Sequence, residues 1–454
     1  MKLFILTLFL IGSWARSSVL VVGDLEGNFL KLKNYLEAHP KFFEKGTDGE
    51  WRIKDGHKLV FMGDAVDKGP GGIKIVRLLT QLKKSQPGQV SLILGNRDIN
   101  KMLVYRLIKK TQDLGPNELL RLPYIKYLNE KGMNLSESMT LRELQEFIEP
   151  FDSKELRLKV IFKGMNASKA FEYLREELKE VLGRSDVNDS LVYKEFMRSM
   201  EKGGEFFEFL KLGKVLDLVD DTVFVHGGIS HENYGKVPGK SVRFNNLKVW
   251  VKEMNEWARS EIINWGEDYR RGTDLLNYHA PKISGKNSKE SVFYHRYSDA
   301  SGNPKLPSST LLKKFAKSNV RRAVSAHTPV GEFATMVKNQ NFELIMSDVS
   351  AAASPELPLI KLDPSGTQIE SKLPNGKVVS RAKQGRALLP DGYLTADGYR
   401  VVGQKGKKYL LLRFENENGR YLPKYIERSM DDIFKIGLKS VLEKGQKGCY
   451  EVFH

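Results

Sequence analysis

Short apolar runs recur along the chain, and each is followed at once by a cluster of Gly, Asp, Asn or His. Runs of this length, rich in β-branched and aliphatic residues, read as strands, and the polar clusters behind them as loops that can carry chemistry. Six fit the pattern: Ser18–Val22, Lys58–Met62, Gln89–Leu94, Thr222–Val225, Arg322–Ser325 and Glu343–Met346. The clusters that follow are Gly23-Asp24-Leu25-Glu26-Gly27-Asn28, Gly63-Asp64-Ala65-Val66-Asp67-Lys68-Gly69, Gly95-Asn96-Arg97-Asp98, His226-Gly227-Gly228, Ala326-His327-Thr328 and Ser347-Asp348. Between the early strands the spacing changes to that of helices, with Phe29, Leu32 and Leu36 on one face and Ile73, Val76, Leu79 and Leu82 on another. Strand, loop and helix in alternation predict an α/β core.

Two stretches interrupt this grammar. From about 104 to 213 the chain is charged and helical, as in Ala170–Leu182, and reads as a helical insertion into the core. Residues 231–318 form a mixed excursion that carries Trp250, Trp257 and Trp265. After Pro364 the pattern becomes polar and strand-like, as in Gly398–Val402 and Tyr409–Phe414, and predicts a small β-rich C-terminal appendage over 364–454. At the other end, residues 1–15 set Lys2 before an apolar run from Leu3 to Ile11 and small residues at Ser13 and Ala15. This is the order of a signal peptide, and the run is too short for the roughly 20 residues of a spanning helix. The expected organisation is therefore a leader (1–15), a main domain (16–363) and the appendage, in a protein exported to a periplasm or to the exterior.

Composition narrows the chemistry. With 41% hydrophobic and 28% charged residues in 454, the chain can bury a large core and is neither a disordered segment nor a membrane bundle. Its one cysteine, Cys449, excludes an internal disulfide scaffold and cysteine-rich zinc sites, so any metal must be held by Asp, Glu, Asn and the eight histidines. The net charge is +17, and residues 372–454 hold 17 basic against 9 acidic side chains, nearly half of that excess. A solvated surface accounts for this, with contact to an anionic surface as the alternative; a nucleic-acid partner is not expected.

Loops at the carboxyl ends of neighbouring strands converge on one crevice, so residues distant in sequence can meet there. The converging set is Asp24, Glu26, Asp64, Asn96, His226 and His327. These are oxygen and nitrogen donors without sulfur, suited to a pair of hard or borderline divalent cations: manganese first, with iron, zinc or magnesium as the others.

In their order these blocks resemble the calcineurin-like metallophosphoesterases, and within them the phosphoprotein phosphatases, which read G-D-x-H-G, G-D-x-x-D-R-G, G-N-H-E, H-G-G and a late histidine. The resemblance covers roughly residues 19–350 apart from the insertion, and implies a β-sandwich flanked by helices. It implies that Asp24 and Glu26 hold a first metal, that Asp64 bridges both, and that Asn96, His226 and His327 complete the second. Asp67 would support them from behind. The segment Phe293-Tyr294-His295-Arg296-Tyr297 resembles the family's arginine-bearing segment, so Arg296 would grip the substrate phosphate. Three positions depart from the pattern. Glu26 and Arg97 stand where the family has histidines, and Lys68 where it has an arginine. Arginine stays protonated and cannot be the general acid, but it can pair with phosphate oxygens, as can Lys68. For the missing acid the candidates are Asp98, then His231 or His295.

The function expected from all this is metal-dependent hydrolysis of phosphomonoesters, on phosphoprotein or small phosphoesters, with Asp64, Asp98 and Arg97 at the reacting centre. A nucleotide or dinucleoside polyphosphate hydrolase is the second reading, with Trp250, Trp257, Trp265, Tyr294 and Tyr297 as possible base-stacking rings. A non-catalytic anion-binding protein on the same scaffold is the third.

Overall fold

The computed structural model describes residues 18–439 except 282–286, 299–303, 331–333, 339–340, 350–355, 373–377, 382–393, 396, 406–407, 418–419 and 437. The leader expected over 1–15 lies outside the described residues.

From the amino end, β1 (Ser18–Val22) and α1 (Phe29–Ala38) precede a small hairpin of β2 (Phe43–Lys45) and β3 (Trp51–Ile53), then β4 (His57–Phe61), α2 (Gly72–Ser85) and β5 (Val90–Leu92). The helical stretch comprises α3 (Asn96–Leu114), α4 (Glu118–Asn129), α5 (Leu141–Ile148), α6 (Lys154–Gly164), α7 (Ala170–Leu182), α8 (Asp189–Met200) and α9 (Glu205–Leu212). It leads to β6 (Leu216–Val219) and β7 (Thr222–Val225). The excursion supplies α10 (Leu247–Glu267), α11 (Thr273–His279) and α12 (Ser309–Lys317), before β8 (Arg322–Ser325), β9 (Thr335–Lys338) and β10 (Glu343–Met346). Two sheets result. One runs in the order β13-β12-β11-β1-β4-β5, with β11 (Leu359–Asp363), β12 (Gly366–Lys372) and β13 (Val378–Arg381) along one side; the other runs β6-β7-β8-β10-β9.

Alternation along the strands builds the layers. Val19, Val21, Val60 and Met62 of the first sheet pack with Phe224, Val324 and Ile345 of the second, forming the inside of a sandwich. The intervening Leu20, Leu59 and Phe61 face outward to Leu32 and Leu36 of α1 and Val76 and Leu79 of α2. This is the helix-flanked β-sandwich expected from the blocks. In the first sheet β1, β4 and β5 are parallel, and in the second β7, β8 and β10 are parallel, so the six strands are grouped to present their carboxyl ends together.

Several expected boundaries differ from those observed, and the second strand runs His57–Phe61 rather than Lys58–Met62. The third strand runs Val90–Leu92 rather than Gln89–Leu94; beyond it Ile93 still donates to the Phe61 carbonyl of β4 at 2.8 Å and forms an isolated bridge to Lys214. The insertion was expected near 104, yet α3 begins at Asn96, inside the third polar cluster, and runs unbroken into the insertion. The division at 363/364 falls in the turn between β11 and β12, which pair antiparallel and continue the first sheet. A separate sheet of β14 (Leu394–Thr395), β15 (Arg400–Lys405), β16 (Lys408–Glu417), β17 (Arg420–Ser429) and β18 (Leu438–Lys439) follows, with α13 (Met430–Ile436). It is tied to the main body by buried Arg400, whose Nη2 donates to the Val330 carbonyl at 2.9 Å.

The insertion is also fastened to the core. Glu177 of α7 is buried, and its two carboxylate oxygens accept the N–H groups of Ile73 and Lys74, both at 2.9 Å, in the first turn of α2. Those amides have no partner within their own helix, and a carboxylate there also meets the positive end of the helix dipole. Glu177→Ala is expected to destabilise the fold by about 2 kcal/mol, and Glu177→Gln, which keeps an acceptor oxygen, by about 1 kcal/mol. Urea unfolding of the three proteins checks the order.

Candidate metal centre

Five of the six strands lead into a residue of the expected set, and the sixth leads into Asp348. Asp24 follows β1, Asp64 follows β4, Asn96 follows β5, His226 follows β7, His327 follows β8, and Asp348 follows β10. Asp24, Asp64 and His226 offer one ligand atom each, and the three atoms lie within 4.8 Å of one another. His226 Nδ1 lies 2.8 Å from the Met62 carbonyl, which can only accept, so Nδ1 carries the proton and Nε2 presents a lone pair. That lone pair faces Asn96 Oδ1 at 3.0 Å and Asp64 Oδ1 at 3.5 Å. Asn96 is oriented by its Nδ2, which donates to the Tyr294 hydroxyl at 3.3 Å, and His327 Nδ1 reaches the same Asn96 Oδ1 at 2.7 Å. Asp24 Oδ1 and His327 Nε2 are buried without a hydrogen-bond partner. Electron-rich atoms facing one another, together with orphaned buried donor atoms, are what a cation resolves, so these residues fit a divalent metal.

The backbone here is strained. Glu26, Asp64, Asp67 and His327 all have positive φ, at 48°, 57°, 101° and 63°. Non-glycine residues in that region cost energy and persist where the surroundings hold them. The loops touch so closely that a Cβ on Gly95 would fall 2.1 Å from Asp64 Oδ1.

Charge governs the rest. Arg97 Nε lies 3.2 Å from Glu26 Oε1 and 3.6 Å from Asp64 Oδ2, and its Nη1 is 3.5 Å from Asp67 Oδ2. Burial alone would lower the guanidinium pKa, but Asp64, Asp67 and Glu26 raise it above its ordinary value. Lys68 Nζ meets Glu26 Oε1 at 2.5 Å, and Lys101 Nζ holds Asp67 Oδ1 at 2.6 Å. Glu26 and Arg97, the two residues that depart from the resembled pattern's histidines, thus form an ion pair with each other. Arg296 Nη1 donates to the His327 carbonyl at 3.1 Å and to Thr328 Oγ1 at 3.0 Å, which sets this exposed side chain at the same rim.

Asp24 and Asp348 remain. Burial, then Asp348, Asp64 and Glu26, push the Asp24 carboxyl well above the usual range. Asp348 is pushed up to about 7, by burial first and Glu26 next. Burial also holds His327 neutral, so its lone pair stays available. Sequence reasoning noted Ser347-Asp348 behind its strand but gave Asp348 no role, and it did not single out Lys101.

The assignment of the general acid to Asp98 needs correction. Its pKa rises to about 7, mainly through burial and Asp64. Yet Asp98 is wholly buried, and its oxygens accept the N–H groups of Gly95 at 2.8 Å and of Asp64 and Ala65 at 3.0 Å. It clamps two ligand loops together, with its oxygens taken up by main-chain amides. His295 packs beside Gly228, with its pKa pushed down to about 4 by burial, so it is neutral near pH 7; His231 is exposed. Of the aromatic rings, Trp250 and Trp265 are buried in the core and the Tyr297 hydroxyl holds the Ile229 amide, which leaves Trp257 and Tyr294 partly exposed.

A family model described as calcineurin-like phosphoesterase matches residues 17–331. The symmetrical bis(5'-nucleosyl)-tetraphosphatase of Wigglesworthia glossinidia brevipalpis is 29% identical over 109 residues, covering 24% of this chain and 35% of that protein. The protein of the same name from Buchnera aphidicola subsp. Schizaphis graminum is 30% identical over 95 residues, covering 21% of this chain and 29% of that protein. The chain thus spans about a third of the length of the curated relatives it matches. Among solved structures, the cold-active protein-tyrosine phosphatase of a psychrophilic Shewanella aligns over 80% of both chains at 15% identity and a TM-score of 0.42. A protein serine/threonine phosphatase of Saccharomyces cerevisiae aligns over 78% of this chain and 75% of its own at 13% identity and a TM-score of 0.37.

Asp98→Ala should cost about 3 kcal/mol or more, since three buried N–H donors lose their acceptor at about 1 to 3 kcal/mol each. Chemical unfolding measures this. An unchanged stability combined with a selective loss of the alkaline limb of the pH–rate profile would return Asp98 to the role of acid.

Proposed function

The chain belongs to the calcineurin-like phosphoesterase family, whose members hydrolyse phosphate esters, and from that premise we propose that it is a metal-dependent phosphatase of phosphomonoesters with good leaving groups. The observation that carries this reading is the meeting of Asp24, Asp64, Asn96, His226 and His327 around buried, unpartnered donor atoms, with Arg97, Lys68 and Arg296 beside them. When bound, two divalent cations supply a water of lowered pKa and screen the phosphoryl charge. The side chains of Asp24, Asp64, Asn96, His226 and His327 would hold these ions.

The remaining work falls to the basic rim. Arg296 is exposed and anchored through Nη1 alone in the hydrogen bonds given above, so its other nitrogens can reach a phosphate oxygen. Arg97 and Lys68 are held by Glu26, which fixes their direction and lowers the net positive charge that an incoming phosphate meets. Neither Asp98 nor His295 is placed to protonate a departing oxygen, and this favours leaving groups stable as anions. A phenol, as in an aryl phosphate or phosphotyrosine, is one such group. A nucleotide phosphate is another, and the name carried by the curated relatives supports dinucleoside polyphosphates as the second reading. The apolar leader over 1–15 supports action outside the cytoplasm.

Asp64→Asn is expected to lower manganese-dependent hydrolysis of an aryl phosphate by at least about a hundredfold, since loss of even a supporting partner of a metal ligand costs about 10- to 100-fold. Undiminished turnover defeats the reading. Arg97→Ala should weaken inhibition by inorganic phosphate about tenfold or more, in keeping with about 1.5 to 3 kcal/mol for a hydrogen bond to a charged group. Turnover of aryl phosphate, phosphoserine peptide and dinucleoside tetraphosphate, measured side by side, separates the two substrate readings.

A further inference from the structure

We propose that Lys101 is a positioning residue for phosphate binding: by taking up the charge of Asp67 it keeps the Arg97 guanidinium available to the substrate. The inference rests on the phosphate-gripping role given to Arg97 above and adds a residue behind it. Charges of alternating sign run in one row, Lys101, Asp67, Arg97, Glu26 and Lys68, each no more than 3.5 Å from the next. Within the row the contacts are unequal. Lys101 Nζ meets both oxygens of Asp67, at 2.6 and 2.7 Å, whereas Arg97 Nη1 stands 3.5 Å from Oδ2, too far for a strong hydrogen bond. The Lys101 and Asp67 side chains are each 4% exposed, so water and salt screen their attraction little. Asp67 therefore gives its charge to the lysine and holds the arginine loosely. Without that lysine the buried carboxylate would keep Arg97 as its remaining ion-pair partner among the described residues, and would draw the guanidinium inward, away from an incoming phosphate.

Local structure sets up the competition for Asp67. Lys101 follows Arg97 by four residues in α3, which puts both side chains on one face of the helix, a turn apart. The carboxylate between them is presented by a backbone φ of 101° at Asp67, a conformation that costs a non-glycine residue energy and is kept where the surroundings hold it. On its far side Lys101 Nζ lies 5.1 Å from the centre of the Phe162 ring in α6, a cation–π contact made by the insertion.

Lysine is almost never this deeply buried unless it is paired, and here the pairing partner is also a neighbour of a phosphate-facing arginine. A lysine that only held the fold together would affect stability and leave phosphate affinity alone. One that balances Asp67 against Arg97 affects the affinity, and the loss is reversed when the charge of Asp67 is removed as well.

The test uses the full chain with manganese present and titrates inorganic phosphate calorimetrically, beside KM and kcat for an aryl phosphate. Lys101→Met, which keeps the apolar stem and removes the charge, is expected to weaken phosphate binding about tenfold and to raise KM by a similar factor, with kcat changed by less than about threefold. Lys101→Gln, which still offers Asp67 an N–H but no charge, should behave alike. Lys101→Met combined with Asp67→Asn removes both charges and should return phosphate affinity to within about threefold of wild type. Wild-type phosphate affinity in a folded Lys101→Met or Lys101→Gln overturns the assignment, as does a fall in kcat with KM unchanged, or a double variant that binds no better than Lys101→Met. Single variants that fail to fold, beside a double variant that folds, reduce Lys101 to a structural role and overturn it too. Wild-type phosphate affinity in Arg97→Ala overturns the role of Arg97 itself, whereas weak binding there with normal binding in Lys101→Met overturns the role of Lys101 alone.

Discussion

Buried negative charge must be neutralised, and at the carboxyl pole of this sandwich there is more of it than the protein's own cations can meet. Asp24, Glu26, Asp64, Asp67, Asp98 and Asp348 are all at most 8% exposed, in a region where an unpaired carboxylate is costly. The fold settles four of them with Lys68, Arg97, Lys101 and main-chain amides, and leaves the remainder unsettled. Local oddities follow from this single constraint. Left-handed backbone at Glu26, Asp64, Asp67 and His327 turns side chains inward, and glycine at 23 and 95 lets the loops meet without overlap. Such arrangements persist only when the surrounding sheets hold them.

The exchange of two family histidines for Glu26 and Arg97 belongs to the same balance. Each change alone would alter the charge of the pole; together they give an ion pair 3.2 Å apart that also orders Lys68. An arginine in this position cannot release a proton, so the pole has a fixed positive charge where a titratable group would otherwise stand. The chemistry open to such a site is therefore set by the leaving group as much as by the protein.

Much of this was legible from the chain. Ser18–Val22, Thr222–Val225, Arg322–Ser325 and Glu343–Met346 are strands with the expected limits, because short β-branched runs bounded by Gly, Asp or His have few other ways to fold. Asp24, Asp64, Asn96, His226 and His327 of the expected set meet at one pole, and Glu26 stands beside them, paired with Lys68 and Arg97. What stayed hidden was relational. Asp348 stands in a cluster without a marking glycine or histidine, and its place at the pole comes from β10 meeting the end of β1 across the two sheets. Asp98 reads as a free acid until the three amides around it are known. The chain after Pro364 looks like a new unit, yet β12 and β13 complete the first sheet, since edge strands carry the same polar pattern as an independent hairpin.

One feature of α3 bears on how this architecture can be altered. The helix starts at Asn96, beside two histidines, and continues for 19 residues, about 28 Å, without a break. Its distal half buries Leu107, Ile108 and Thr111 against the insertion, where Arg157 of α6 reaches the Thr111 carbonyl. A stretch that resembles a detachable decoration is thus continuous with the wall of the pole where Asn96, His226 and His327 meet. Trimming it away would strip the outer half of that rod of its packing, so the region can be rewritten but not excised without loosening the wall itself.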